Sequence, residues 1–280
     1  MDVANAAVLQ HPDIFAANRA RGVIAVSAEA AAGVTRRAIV REEGSLRVRF
    51  PGPVAPALQA VIVNTAGGTA AGDHYDIACH AGAGADLTAS TAAAEKVYRS
   101  TGADAEVSIK LTVETGGALA WLPQETIFFD GARLSRRIDV TVAEDASLLM
   151  AEAVVFGRSA MGEAVRTGSF VDRWRVQRAG KLVFAETVRL DGKIADRLGE
   201  PAVADGNIAL GTVLIAPGIE AHVEAIRANA DQFRGEVGAS AWNGFALVRL
   251  CAPNGAALRH DLVAVLNALG RHTLPRLWSM

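Results

Sequence analysis

Apolar and polar residues alternate one for one through much of this chain. In SLRVRF (45–50) Leu46, Val48 and Phe50 alternate with Arg47 and Arg49. In AEVSIKLTV (105–113) Val107, Ile109, Leu111 and Val113 share one face, with Ser108, Lys110 and Thr112 opposite. RLSRRIDVTV (133–142) repeats the pattern with Ile138, Val140 and Val142. Successive side chains of a strand point to opposite faces, so this period of two, punctuated by Gly and Asp, predicts half-buried strands. Two later segments keep helical spacing instead. IEAHVEAIRANAD (219–231) carries Val223 and Ile226, and ALRHDLVAVLNALGRH (257–272) carries Leu258, Leu262, Val265, Leu266 and Leu269. Gly270 and Pro275 supply stop signals for the second.

A weak internal similarity extends the strand pattern. GAGADLTAS, TGGALAWLP and AEDASLLMAE each read as a small or acidic turn, an alanine and an apolar strand, with the alanines at 85, 118 and 146. Near-equal spacing fits successive turns of chain stacked strand on strand. Chance likeness in a chain rich in Ala and Gly is the alternative. The expected fold is mainly β, a β-helix-like stack of strands with two helices in the C-terminal third. It is expected to form a single domain over 1–280, with 1–18 as a loosely ordered extension.

Composition narrows the function classes. The 280 residues are 51% apolar and 21% charged, with a net charge of -2. That balance lacks the basic surplus by which proteins neutralise phosphates, so nucleic acid is not an expected partner. Two cysteines, Cys79 and Cys251, make no disulfide framework. The opening MDVANAAVLQHPDIF has no basic start and breaks its apolar run at His11, Pro12 and Asp13, and no stretch is apolar enough to span a membrane. A soluble cytoplasmic protein is expected.

Four patterns suggest chemistry. NTAGGTAAGD (64–73) is rich in glycine, yet it ends on Asp73 where a phosphate loop needs Lys and then Ser or Thr, and no dinucleotide spacing is present. Gly157-Arg158-Ser159-Ala160-Met161-Gly162 approaches a nucleophile elbow, but its second glycine comes one residue late. His74, Cys79 and His80 offer three metal ligands without the spacing of a dedicated site. Asp73, Glu95, Glu125, Asp130 and Glu152 punctuate the strands; a solvated face is the ordinary reading of each, unless burial demands a partner or a cation.

Taken together and in order, NTAGGTAAGD, STAAAEKVYRS (90–100), LPQETIFFDGARL (122–134), FGRSAMGE (156–163) and LPRLW (274–278) resemble the UreD/UreH family of urease accessory proteins. The likeness is collinear from Arg19 to the end. It implies an assembly factor without turnover, whose partners are apo-urease and, through UreF, the GTPase UreG, so that nickel reaches a buried active site. It also implies a right-handed winding of strands, and a glycine loop that makes a turn while UreG binds GTP. Two departures are visible: the family usually has Gln where this chain has Ala92, and its loop is richer in glycine than residues 66–71.

On that resemblance, Asp73, Glu95, Glu125, Asp130 and Glu152 are the candidates to line a transient nickel passage, since a closed His/Cys cage would hold the ion too tightly to release it. No tightly bound cofactor is expected, only nickel in transit. Arg99, Leu277 and Trp278 are candidates for partner contact, with burial in the chain's own core as the alternative for Trp278. Arg133, Arg136 and Arg137 read as rim contacts or a solvated strand face. Rival functions are a β-solenoid hydrolase and a stand-alone nickel chaperone using His74, Cys79 and His80.

Overall fold

The computed structural model describes residues 19–52, 57–100, 102–158, 161–270 and 274–278. The expected extension 1–18 lies outside them, as do Ser159 and Ala160 of the elbow-like segment. In chain order the strands are β1 (Arg21–Ala31), β2 (Val34–Gly44), β3 (Leu46–Arg49), β4 (Leu58–Asn64), β5 (His74–Ala81), β6 (Asp86–Thr91), β7 (Glu95–Val97), β8 (Ala105–Val113), β9 (Ala118–Trp121), β10 (Thr126–Phe128), β11 (Arg133–Val142), β12 (Ser147–Phe156), β13 (Gly168–Arg178), β14 (Lys181–Gly192), β15 (Ala209–Ala216), β16 (Glu236–Trp242) and β17 (Phe245–Ala252). The helices are α1 (Ile194–Leu198), α2 (Glu220–Arg227) and α3 (Gly255–Ala268). The three strands predicted from alternation coincide with β3, β8 and β11, and the two predicted helices with α2 and α3. The five-residue α1 is too short to show a helical period.

The chain winds between two sheets. One has the order β14-β13-β11-β8-β5-β1-β2, the other β16-β17-β15-β12-β9-β6-β4-β3, with β7 and β10 attached beside β12. From β4 to β13 the main strands alternate between sheets, and within each sheet they pair in parallel, so the backbone forms a solenoid-like stack of about four turns. Antiparallel hairpins close the first sheet at both edges, β1 with β2 and β13 with β14.

The alanine repeat is a real stacking, one residue out of register. Asp86, Ala118 and Ser147 are neighbours across β6, β9 and β12, which places Ala85 and Ala146 in line with Gly117 rather than with Ala118. Accordingly Ala85 and Ala146 are fully buried and Ala118 is not.

Burial on both faces distinguishes β12. Leu148 and Met150 join the core between the sheets, while Leu149, Ala151, Ala153 and Val155 pack against Leu258, Leu262, Val265 and Leu266 of α3. A strand covered on both sides loses its alternation and reads as a continuous apolar run. A third cluster, Phe128, Phe156 and Phe170 with Ile194 and Leu198 of α1, closes one end of the stack.

The glycine loop joins β4 in one sheet to β5 in the other. Gly67, Gly68 and Gly72 all take positive φ, as the turn reading requires. At Gly68 a Cβ would come within 2.4 Å of the Tyr98 ring and 2.9 Å of the Lys96 carbonyl oxygen. The loop thus lies directly on β7 and on Tyr98 just after it, with Thr69 and Val97 bridged. Among the described residues no helix is long and apolar enough to cross a membrane.

Candidate functional site

The site follows from three inward-facing rows. On β11 the alternation that buries Leu134, Ile138 and Val140 also buries Arg136. On β13 Asp172 lies between Phe170 and Trp174, and on β12 Glu152 lies between Met150 and Val154. Arg136, Glu152 and Asp172 are each about 95% buried. Arg136 donates Nε to Asp172 Oδ1 (3.0 Å) and Nη2 to Asp172 Oδ2 (2.6 Å), and its Nη1 makes a short contact with Glu152 Oε2. Trp121 Nε1 donates to Glu152 Oε1 at 2.7 Å, and Trp174 Nε1 to Asp172 Oδ2 at 3.0 Å. Every oxygen of the two carboxylates is therefore satisfied, which buried charge demands.

Burial alone would discharge this cluster. It pushes the Glu152 carboxyl upward against the pull of Arg136. Burial likewise disfavours the Arg136 cation, but Asp172 and Glu152 more than offset it and raise its pKa, so the guanidinium keeps its charge. One cation thus sits among two acids.

Two cavities flank the cluster. The first, about 290 Å³, lies between β5, β8 and β11 on one side and β4, β6, β7 and β9 on the other, and Glu95, Gln124 and Thr126 add polar groups to its apolar wall. The second, about 530 Å³, lies between β11, β13 and β14 and the strands β12, β15, β16 and β17, with Glu236, Arg249 and Cys251 in its lining. Arg136 and Glu152 line both. Because β11 is central in one sheet and β12 in the other, the two side chains form a partition across the sandwich with a cavity on either side.

The five carboxylates singled out in the sequence are not brought together. Glu152 stands in the partition and Glu95 in the first cavity, where one oxygen accepts from Thr69 Oγ1 (2.7 Å) and Asn64 Nδ2 (3.1 Å). Asp73 lines neither cavity: it is buried and accepts from the backbone N–H of Ala20 (2.8 Å) and Ala70 (2.7 Å), which closes the glycine loop. Glu125 pairs with Arg259 at 3.3 Å. Asp130 accepts from the backbone N–H of Arg166 and Thr167 and pairs with Arg99 beside an outer depression of about 450 Å³. Burial works against its charge there, but those amides and Arg99 hold its carboxyl below the ordinary range.

Asp172 lies in none of the quoted motifs, and from sequence Arg136 reads only as a rim contact or a solvated face. Arg136 shares parity with Ile138, Val140 and Val142, and Asp172 with Phe170, Trp174 and Val176, so each is a charge inside an apolar row. The solvated-face reading of Arg136 is thereby corrected: the pleat turns it inward, while Arg133 and Arg137 share the outward parity. Parity also divides the supposed metal triad. His74 and His80 point outward to Asp76, Glu106 and Glu114, whereas Cys79 is buried in the core, its thiol pushed up to about 12 by burial. Among the described residues no three His, Cys, Asp or Glu side chains form a metal-holding group.

Trp278 is covered by its own fold. Its ring packs in the cluster between α3 and the sheet, its Nε1 donates to the Leu122 carbonyl (3.0 Å), and the Arg259 guanidinium lies 5.3 Å above it. Arg259 also donates to the Leu277 carbonyl and to Gln124 Oε1, tying LPRLW to LPQET across the chain. Arg99 remains exposed. STAAAEKVYRS, LPQETIFFDGARL and FGRSAMGE meet at the outer depression, where Tyr98 contacts the Phe129 ring edge-on and Arg158 stacks on Phe129 at 4.3 Å.

Burial holds the half-buried Glu95 carboxyl above its ordinary pKa, against its two hydrogen bonds. A raised folded pKa means that the native state binds this proton more tightly than the unfolded chain, so ionised Glu95 destabilises at neutral pH and the penalty fades as pH falls toward about 4. Glu95→Gln is expected to raise the melting temperature at pH 7.5, with the gain shrinking on acidification. Thermal unfolding across pH checks this; a variant less stable than the parent by the same margin at every pH contradicts it.

Comparison with known proteins follows the whole chain. A family model described as "UreD urease accessory protein" matches residues 20–279. The chain is 60% identical to the "Urease accessory protein UreD" of Rhodopseudomonas palustris over 94% of its own length and 95% of that protein. It is 57% identical to "Urease accessory protein UreD 3" of a Bradyrhizobium species, covering 95% and 96%. A Bradyrhizobium diazoefficiens "Urease accessory protein UreD" is also 57% identical over 95% and 96%.

Proposed function

The chain belongs to the UreD family of urease accessory proteins, which places its role in urease maturation, and from that premise we propose that it is a non-catalytic scaffold and conduit. It binds apo-urease on one side and the UreF–UreG complex on the other, and nickel released by the GTPase crosses between them. No cofactor is held permanently; the metal is cargo. UreG supplies GTP hydrolysis, since the glycine loop here is closed by a carboxylate that would repel phosphate.

One observation carries the route: two cavities between the sheets, separated by the Arg136 and Glu152 side chains alone among the residues that line both. Glu95 in the first cavity, Glu152 at the partition and Glu236 in the second mark a line of oxygen ligands through the sandwich. Isolated carboxylates suit transit, because a hard oxygen donor binds a dication weakly enough to let it go.

The test is omission. Urease co-produced with UreF and UreG but without this chain is expected to contain little nickel by elemental analysis, and the full set is expected to load it. Fully nickel-loaded urease in the absence of the chain would overturn the proposal, as would substrate turnover by the isolated chain.

A further inference from the structure

A guanidinium fixed between the two cavities fills the crossing and occupies the oxygens of both acids, so a dication approaching along either cavity finds no free ligand there. The passage is closed in this conformation.

We infer that Arg136 is the movable stopper of the passage: its guanidinium, clamped by Glu152 and Asp172, separates the two cavities, and its withdrawal into either one joins them. This rests on the conduit reading and specifies its regulation. Three features fit a side chain that leaves and returns. Arg136 carries a long flexible stem from β11, and empty volume of about 290 Å³ and 530 Å³ lies on its two sides, so a change of rotamer clears the partition without moving either sheet. The carboxylates do not depend on it for their orientation, because Trp121 holds Glu152 and Trp174 holds Asp172. Withdrawal leaves two indole-anchored acids at the crossing, and the lost pairing is compensated when a dication arrives.

The stopper accounts for an ion that crosses only in an assembled complex. While Arg136 is seated, each cavity is a dead end, and metal entering one mouth does not escape from the other. Such a switch has two arrangements, in which the cation at the crossing is either arginine or metal.

The assay is nickel transfer from nickel-loaded UreG to apo-urease in the assembled complex, with excess EDTA outside and with the rate of urease loading and the fraction of nickel captured by EDTA as readouts. Arg136→Met keeps an unbranched, flexible stem and removes the guanidinium and its charge. It is expected to load urease several-fold faster and to lose a larger fraction of nickel to EDTA, whereas Arg136→Lys keeps a charge and falls between. If Arg136→Met fails to assemble, Arg136→Met with Asp172→Asn leaves the single acid Glu152 at the crossing, and increased capture by EDTA is still expected. Unchanged rate and EDTA capture in an assembled variant would overturn the stopper.

A separate variant examines the conduit itself. Gly238 lines the second cavity and a Cβ added there meets nothing within 4 Å, so Gly238→Trp obstructs that cavity with little disturbance of packing. Slow loading by Gly238→Trp together with parental behaviour of Arg136→Met rejects the stopper alone. Parental loading by Gly238→Trp rejects the conduit, and the stopper with it.

Discussion

Replacing Arg136 with alanine is expected to destabilise the fold by about 3–5 kcal/mol, the usual penalty for removing one partner of a buried ion pair. The loss arises from what remains. Glu152 and Asp172 would face each other across an enlarged void, each keeping a single indole donor. Two like charges stranded together in a buried site disfavour ionisation in the folded state. The folded variant would then bind protons more tightly, so its deficit should shrink as pH falls toward about 4. Urea unfolding at pH 7.5 and pH 5 measures both effects. Adding Glu152→Gln and Asp172→Asn should restore much of the stability, because neutral amides tolerate burial far better than unpaired acids. A pH-independent deficit that the amides do not relieve would show that lost packing, rather than stranded charge, dominates.

Trp278→Ala is expected to be comparably severe, about 3–5 kcal/mol for deleting a buried tryptophan. Three attachments fail at once: the apolar contact with α3 and β12, the hydrogen bond to the Leu122 carbonyl, and the surface on which Arg259 rests. Arg259 would lose its stacking partner while still reaching Gln124 and Glu125. Trp278→Phe should recover most of the packing but not the Leu122 bond, leaving a deficit of about 1 kcal/mol. Denaturation midpoints distinguish these results from a ring that acts chiefly on a partner. In that case both variants would unfold like the parent and fail only in complex formation.

The two perturbations bear on different parts of the proposed role. Arg136 lies between the sheets, where the cavities meet, and Trp278 lies on the outer side of the second sheet beneath α3. Arg136 variants are therefore expected to alter metal transfer within complexes that still form. Trp278 variants are expected to reduce the amount of folded chain available to form them.

Local physics made much of the fold legible. Alternation in SLRVRF, AEVSIKLTV and RLSRRIDVTV determined strands because a pleated backbone sends successive side chains to opposite faces. The periodicity of Leu258, Leu262, Val265 and Leu269 determined α3 in the same way, at 3.6 residues per turn. Near-equal spacing of small turns pointed to stacked coils, and the glycines of NTAGGTAAGD to a turn. Parity could also have found Arg136 and Asp172, each a charge in an apolar row.

Only the tertiary structure decided which of these rows confront one another. Glu152 and Asp172 are 16 and 36 residues from Arg136, and they meet at one guanidinium because the winding register brings β11, β12 and β13 together there. The same register left Asp73, Glu125 and Asp130 to serve a loop, Arg259 and an outer rim. Strand period is a property of a few adjacent residues, so sequence determines a face; the partner across the sandwich depends on the path of every intervening turn, and only the assembled stack specifies it.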